Sequence, residues 1–260
     1  MRSSRGPEPL RHDANAPGLV ISPHLDDAVV SAWWAISGPD EVVVATVCAG
    51  VPPEGTTGAF DPIFGATDSA ALVRARRAED RAALALAGRT PIHLDHLDVQ
   101  YRTDDLEPAT VRRSLEALAD RASWILAPAG LGRHPDHLLV RDATLALARD
   151  AGIPAQVYAD LPYAANLGWP SWVTGQPEDP HLVPDAAWRS TLAEIGEQGS
   201  LTPTVHRLDA GGGGGTDGRV DAKLRALRCY QSQFAALEGG PHRRLTNPWV
   251  LPFEVSWSVG

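Results

Sequence analysis

Two short stretches hold the residue types able to do chemistry. His24-Leu25-Asp26-Asp27 follows the apolar run Leu19-Val20-Ile21-Ser22 and Pro23, and His134-Pro135-Asp136-His137 follows Trp124-Ile125-Leu126-Ala127 after a short glycine-containing segment. An imidazole and two carboxylates crowded at the end of a buried strand are costly to desolvate unless something offsets their charge, and a divalent cation is the simplest agent. The second stretch adds two more imidazoles, His134 and His137. Neutral imidazole with carboxylate is a ligand set that suits zinc and other first-row metals. The stretches lie far apart in the chain, so they form one site only if a sheet brings two strand ends together.

The intervening elements are those such a sheet needs. Residues 28–36 read as a helix whose start carries Asp26 and Asp27, favourable at the positive end of a helix dipole. Residues 41–47 are β-branched and continuous, which fits a central parallel strand. Residues 69–87 form a helix with Gly88 as its stop, 92–95 a short strand and 108–121 a helix with proline in its first turn. Residues 124–127 are the strand delivering the second stretch, 138–151 the helix leaving it before Gly152, and 155–159 a fifth parallel strand. The order strand, polar loop, helix predicts an α/β fold with a Rossmann-like, doubly wound, mostly parallel sheet and helices on both faces. In such sheets ligands bind outside the carboxyl ends of the strands.

Later segments are predicted as a strand over 202–208, a helix over 219–234 and a terminal strand over 249–257. Pro248 and Pro252 make that last strand an edge. Residues 49–68, rich in glycine and proline, follow a strand end and are long enough to overhang the site. The run Gly211–Gly215 lacks the lysine-containing pattern of a phosphate cradle and reads as a linker. Residues 1–17 are expected to be an N-terminal tail and 18–260 a single domain, with 161–260 supplying substrate-side loops and edge strands.

Composition narrows the function. With 43% hydrophobic and 21% charged residues and a formal net charge of −9, the chain is expected to be a globular protein without nucleic acid as a partner. The 2 cysteines, Cys48 and Cys229, form no disulfide framework and read as buried free thiols. Neither a secretory leader nor a membrane-length apolar run is legible, so the expectation is a cytoplasmic protein with no membrane partner. A homo-oligomer is left open.

The pair of motifs resembles the LmbE-like, or PIG-L, family of zinc-dependent de-N-acetylases. Supporting segments are Arg76-Arg77-Ala78-Glu79-Asp80-Arg81-Ala82-Ala83, similar to the family's charged helix, and Lys223 through Gln233, similar to its late helix. The resemblance runs from Leu19 to Gln233 and implies the LmbE-like fold. It also implies His24, Asp27 and His137 as ligands of Zn2+, with Fe2+ as another divalent ion the set could hold. By the same resemblance Asp26 is the general base that activates a metal-bound water. His134, as imidazolium, is an acid or electrostatic partner, and Asp136 orients one histidine. The loop with Asp98, Tyr101 and Arg102 is implied to contact substrate, whereas Ser232 and Gln233 orient a loop. The implied substrate is a small-molecule N-acetylated amino sugar or glycoconjugate. Alternatives are an amidase cleaving a larger acyl group and a non-catalytic sugar-binding module. Trp169 and Trp172 read as packing residues or as a platform for a sugar ring. The chain departs from the family pattern at Ala28, where glutamate is common, at Arg133, where glycine is common, and at Gly132, where some relatives place a tyrosine that donates to the oxyanion. Arg133, Tyr101 or another donor then has to serve. His93, His96, His181, His206 and His242 are given no role.

Overall fold

Strand β1 (Gly18–Ser22) is buried along its whole length, as an apolar run inside a parallel sheet must be. Leu19 and Ile21 enter one hydrophobic core and Val20 the other, because successive side chains leave a strand on opposite faces. The computed structural model describes residues 15–161, 163–178, 184–197, 199–210, 218–238 and 245–260. After β1 come α1 (Asp27–Ser31), α2 (Trp33–Ile36), β2 (Val42–Thr46), α3 (Ser69–Ala85), β3 (Pro91–His93), α4 (Pro108–Ala119), β4 (Trp124–Pro128), α5 (Pro135–Ala151) and β5 (Ala155–Tyr158). The remainder is α6 (Tyr163–Leu167), α7 (Ser171–Thr174), α8 (Pro184–Gly196), β6 (Leu201–Arg207), α9 (Arg219–Leu227), α10 (Gln231–Leu237) and β7 (Phe253–Val259). Of the expected tail over 1–17 only residues 15–17 are described, and the glycine run 211–215 with His181 and His242 lies outside the described residues.

The strands form one sheet in the order β3-β2-β1-β4-β5-β7-β6. The first five are parallel, while β7 runs antiparallel to both β5 and β6. Val111 and Leu115 of α4 with Val140 and Leu147 of α5 cover one face. Leu84 of α3, Trp188 of α8 and Leu227 of α9 join the core on the other. This is the expected doubly wound architecture, and its order reverses between β1 and β4. At that reversal neighbouring crossovers leave in opposite directions, so a crevice opens beyond the strand ends. Both sequence motifs emerge there.

Four local expectations are corrected. The helix over 28–36 is broken at Ala32, whose φ of −133 is not helical. Glu254 reaches in from β7 and accepts the backbone N–H groups of Trp33 at 3.0 Å and Trp34 at 2.7 Å, which would otherwise be orphan donors at a new helix start. The Lys223 ammonium, 2.6 Å away and equally buried, offsets that carboxylate. The terminal strand is not an edge, because Pro248 and Pro252 both precede its first residue and β6 lies outside it. The helix over 219–234 divides into α9 and α10.

The fourth correction bears on the site. Helix α5 starts at Pro135 rather than 138, and His134 caps it by accepting the Asp136 N–H at 3.2 Å. Proline suits the first helical position, where no N–H is needed, and Gly152 closes the far end in the left-handed conformation. Asp136 and His137 therefore occupy a rigid first turn instead of a loop. The tryptophans are also decided: Trp169 and Trp172 pack on Trp188, and Trp188 packs on Trp257.

Candidate metal centre

His24 follows β1 and His137 sits in the first turn of α5, after β4. Their ring centroids are 5.2 Å apart, and that of His134 lies 4.9 Å from the first and 5.2 Å from the second. Each of the outer two imidazoles has one nitrogen engaged by a buried carboxylate. His24 Nε2 lies 3.0 Å from Asp136 Oδ2, and His137 Nδ1 lies 2.6 Å from Asp160 Oδ1. A ring that donates one N–H to a carboxylate presents a lone pair on its other nitrogen. Those remaining atoms converge on a single oxygen: Asp27 Oδ2 stands 3.4 Å from His24 Nδ1 and 3.3 Å from His137 Nε2. His137 Nε2 is buried and has no hydrogen-bond partner among the described residues.

Lone pairs facing one another at these distances repel unless a cation or protons lie between them. Ligand atoms about 2.0–2.1 Å from a tetrahedral cation stand roughly 3.3 Å from each other, so the donor set fits a divalent metal. Charge agrees with distance. Burial opposes protonation of His24, yet its bonds to Asp136 and Asp27 hold the imidazole well above the ordinary range. His137 is likewise raised against burial by Asp27 and Asp160. Asp27 is lowered, in spite of burial, by His137 and His24.

Asp26 points elsewhere. Its Oδ2 accepts from Gln233 Nε2 of α10 at 2.6 Å. Burial and the adjacent Asp27 lift the Asp26 carboxyl to about 6. His134 differs from its neighbours because its Nδ1 is used for the helix cap, so the proton of the neutral ring sits on Nε2. Burial and the nearby imidazoles of His24 and His137 lower it to about 4. The lowered value favours a neutral N–H donor over the imidazolium that the resemblance implies.

His24, Asp26, Asp27 and His134 line a cavity of about 380 Å³ whose walls also include Asp98, Tyr101, Tyr163 and Arg76. Asp98 is drawn largely into a turn, accepting from the Gln100 N–H at 3.0 Å. Arg102 does not line the cavity: its guanidinium bonds Asp136 Oδ1 at 2.6 Å and the Leu97 carbonyl at 2.8 Å. Together with the Val99 N–H, 3.0 Å from Asp136 Oδ2, it ties the loop after β3 to the carboxylate behind His24. Arg133 turns to the surface and pairs with Glu194 at 2.6 Å. Tyr101 keeps its ring in the cavity wall but gives its hydroxyl to Asp61 at 2.8 Å.

Three more residues stand at the site: Asp160 carried no sequence expectation, Arg76 was read only as the start of the charged helix and Tyr163 only as one of the large rings that pack or stack on a sugar. Asp160 is fully buried, holding His137 with one oxygen and the Leu131 N–H with the other at 2.8 Å. Its only signal was a carboxylate just past a strand end, the pattern already seen at Asp26 and Asp27. Tyr163 lies with its ring 5.5 Å from that of His137. A Cβ added to Gly132 would meet Tyr163 Cβ at 2.6 Å, so this ring fills the space a side chain at 132 would enter. Arg76 has buried Nε and Nη2 atoms with no partner among the described residues. His93, His96 and His206 are each hydrogen-bonded within the chain.

Comparison with known proteins bears on the family and the fold. Residues 19–148 match the family model described as PIG-L, GlcNAc-PI de-N-acetylase. No curated protein matches the chain in sequence. Among solved structures, the A40926 pseudoaglycone deacetylase Dbv21 is 28% identical with a TM-score of 0.69, over 95% of this chain and 98% of that one. Two structures of a deacetylase of the teicoplanin biosynthetic pathway are 26% and 25% identical, with TM-scores of 0.66 and 0.67, each over 94% of this chain and 98% of theirs.

Proposed function

The chain belongs to the PIG-L (LmbE-like) family of metal-dependent de-N-acetylases, and from that premise we propose that it hydrolyses the acetamide of an N-acetylated amino sugar carried on a small-molecule glycoconjugate. His24, Asp27 and His137 are the metal ligands, and zinc is the ion the mixed nitrogen and oxygen set suits best. The observation that carries this reading is the meeting of two carboxylate-backed imidazoles on Asp27 Oδ2 beside an open cavity. A divalent cation bound there supplies a Lewis acid for the amide carbonyl and lowers the pKa of water.

The chain's own groups do the rest. Asp26, fixed through Oδ2 by Gln233, takes a proton from the attacking water at its other oxygen. The water oxygen joins the acetyl carbon, the C–N bond breaks, and Asp26 returns its proton to the leaving amine, so acetate and the free amino sugar result. His134 Nε2–H and the Tyr163 phenol stabilise the charge that grows on the amide oxygen, with Tyr163 serving from another segment where Gly132 has no side chain. Burial keeps that phenol protonated, raised to about 12. Arg76 lines the cavity and sets a positive charge beside the sugar. Arg102 and Asp136 act by positioning His24, and Asp160 by positioning His137.

The reading of a larger acyl group as substrate asks for an apolar channel, and the packing of Trp169 and Trp172 on Trp188 favours acetyl instead. The test is metal analysis of the purified chain, then acetate release from N-acetylglucosamine glycosides by protein loaded with zinc or iron. A chain that binds a divalent metal one to one and releases no acetate from any N-acetyl sugar would sink the proposal.

A further inference from the structure

Two adjacent carboxylates on α3 reach the start of α10, and neither lines the cavity. Glu79 holds one residue twice: its Oε1 accepts the Ser232 N–H at 2.9 Å and its Oε2 the Ser232 hydroxyl at 2.6 Å. Asp80 accepts the hydroxyl of Tyr230, a fully buried residue, at 2.7 Å. The Tyr230 carbonyl in turn opens the helix, accepting the Gln233 N–H at 3.0 Å and the Phe234 N–H at 2.7 Å. Residues 230 and 232 are thus both held from α3, and Gln233 is the next residue along.

Gln233 is the side chain that touches the base. Its Nε2 donates to Asp26 Oδ2 at 2.6 Å. Asp26 itself precedes α1 and makes no side-chain capping bond to it, so the aim of this carboxylate depends on the amide from α10. With 7 residues, α10 is too short to keep its place by helical bonds alone. Its position comes from what it is tied to.

The two carboxylates of α3 divide that work unequally. Asp80 also meets His93 Nε2 at 2.8 Å and braces β3 as well, whereas both oxygens of Glu79 are given to Ser232. Hydrogen bonds to an ionised acceptor are shorter and stronger than neutral ones, and two from one carboxylate fix direction as well as distance.

We propose that Glu79 is a positioning residue for the hydrolysis: through Ser232 it sets the first turn of α10 so that the Gln233 amide meets Asp26 and keeps that carboxylate aimed at the attacking water. The inference rests on Asp26 as the base of the reading above. Loss of the hold on Ser232 lets the start of α10 drift, and a misplacement of about 1 Å at a reacting group costs on the order of 10²-fold in rate.

The experiment reads the amide and the rate separately, on the full chain loaded with zinc. Hydrogen exchange by NMR follows the Gln233 side-chain amide, assigned by its loss in Gln233→Ala. Glu79→Gln is expected to speed that exchange about tenfold, while the backbone amides of β1 keep their rates. In acetate release from an N-acetylglucosamine glycoside, the same variant lowers kcat about 10- to 100-fold and leaves KM within about twofold. On a Gln233→Ala background it adds nothing further, because it acts through the residue already removed. Ser232→Ala cuts half of the link from the other end and moves both readings the same way by less, and Ser232→Thr, which keeps the hydroxyl, leaves them near native.

An unchanged Gln233 exchange rate, or one that rises together with those of β1, overturns the proposal. So does a loss of kcat that Glu79→Gln adds in full on top of Gln233→Ala. Faster Gln233 exchange in a chain that releases no acetate even before substitution sinks the deacetylase reading and leaves the hold of Glu79 on Gln233 standing. Acetate release that Glu79→Gln does not slow does the reverse.

Discussion

His93 and His137 are built alike and do different things. Each is a buried imidazole held by a buried carboxylate, His93 by Asp80 at 2.8 Å and His137 by Asp160 at 2.6 Å. At His93 the second nitrogen accepts from Arg77 Nε at 3.2 Å, and the second oxygen of Asp80 accepts the Tyr230 hydroxyl at 2.7 Å. Every polar atom of that cluster is satisfied by the chain. At His137 the second nitrogen faces Asp27 with no donor between them. A carboxylate behind a histidine is therefore no sign of a ligand by itself. The diagnostic is what the other nitrogen has left to bind.

The sharpest break of this comparison is His137→Ala beside His93→Ala. The first is expected to lose bound metal and all measurable acetate release, and the second to keep full metal content by elemental analysis. A His93 variant that came out metal-free would collapse the distinction. Next is Asp26→Asn, which removes the base and no ligand. Acetate release should fall about 10²- to 10⁴-fold with metal content unchanged, and a variant retaining turnover would strip Asp26 of its role. Asp160→Asn keeps the shape but weakens the anchor of His137, so competition with a chelator should show metal affinity lower by about 10- to 100-fold.

Acid should loosen the metal. In the metal-free chain His24 and His137 are raised above the ordinary imidazole value, so protons compete with the cation from above pH 6.5 downward. Apparent affinity is expected to climb with pH through that value, by up to roughly tenfold per unit for each proton displaced. A flat profile there would contradict the assignment of these two rings. The smallest effect on metal belongs to Asp80→Ala. It strands His93 and Tyr230, costs about 1–3 kcal/mol in unfolding free energy by chemical denaturation, and leaves metal content as it was.

Much of this was legible in the chain. Apolar runs of strand length alternating with helical segments gave the five parallel strands, since a strand buried on both faces has to be apolar throughout. The two motifs at strand ends named the donors. Less legible was whatever depended on a partner distant in sequence. The break at Ala32 follows from Glu254, and no local propensity announces it. The interior place of β7 depends on where its prolines fall relative to the first paired residue. Arg102 and Arg133, equally polar in the chain, are separated by what each meets: Asp136 inside, Glu194 at the surface.

By itself, the sequence determined which atoms were available: the imidazoles of His24, His134 and His137, the carboxylates of Asp26 and Asp27, and a strand end on which to hold them. Those follow from residue identity and periodicity, which are local. The tertiary structure decided their states. It set Asp136 behind one ring and Asp160 behind another, used His134 Nδ1 as a helix cap, gave Gln233 to Asp26, and swung Tyr163 into the space beside Gly132. Tautomer, charge and direction depend on the neighbouring group, and in this fold those neighbours come from α5, from the residues after β5, from α6 and from α10.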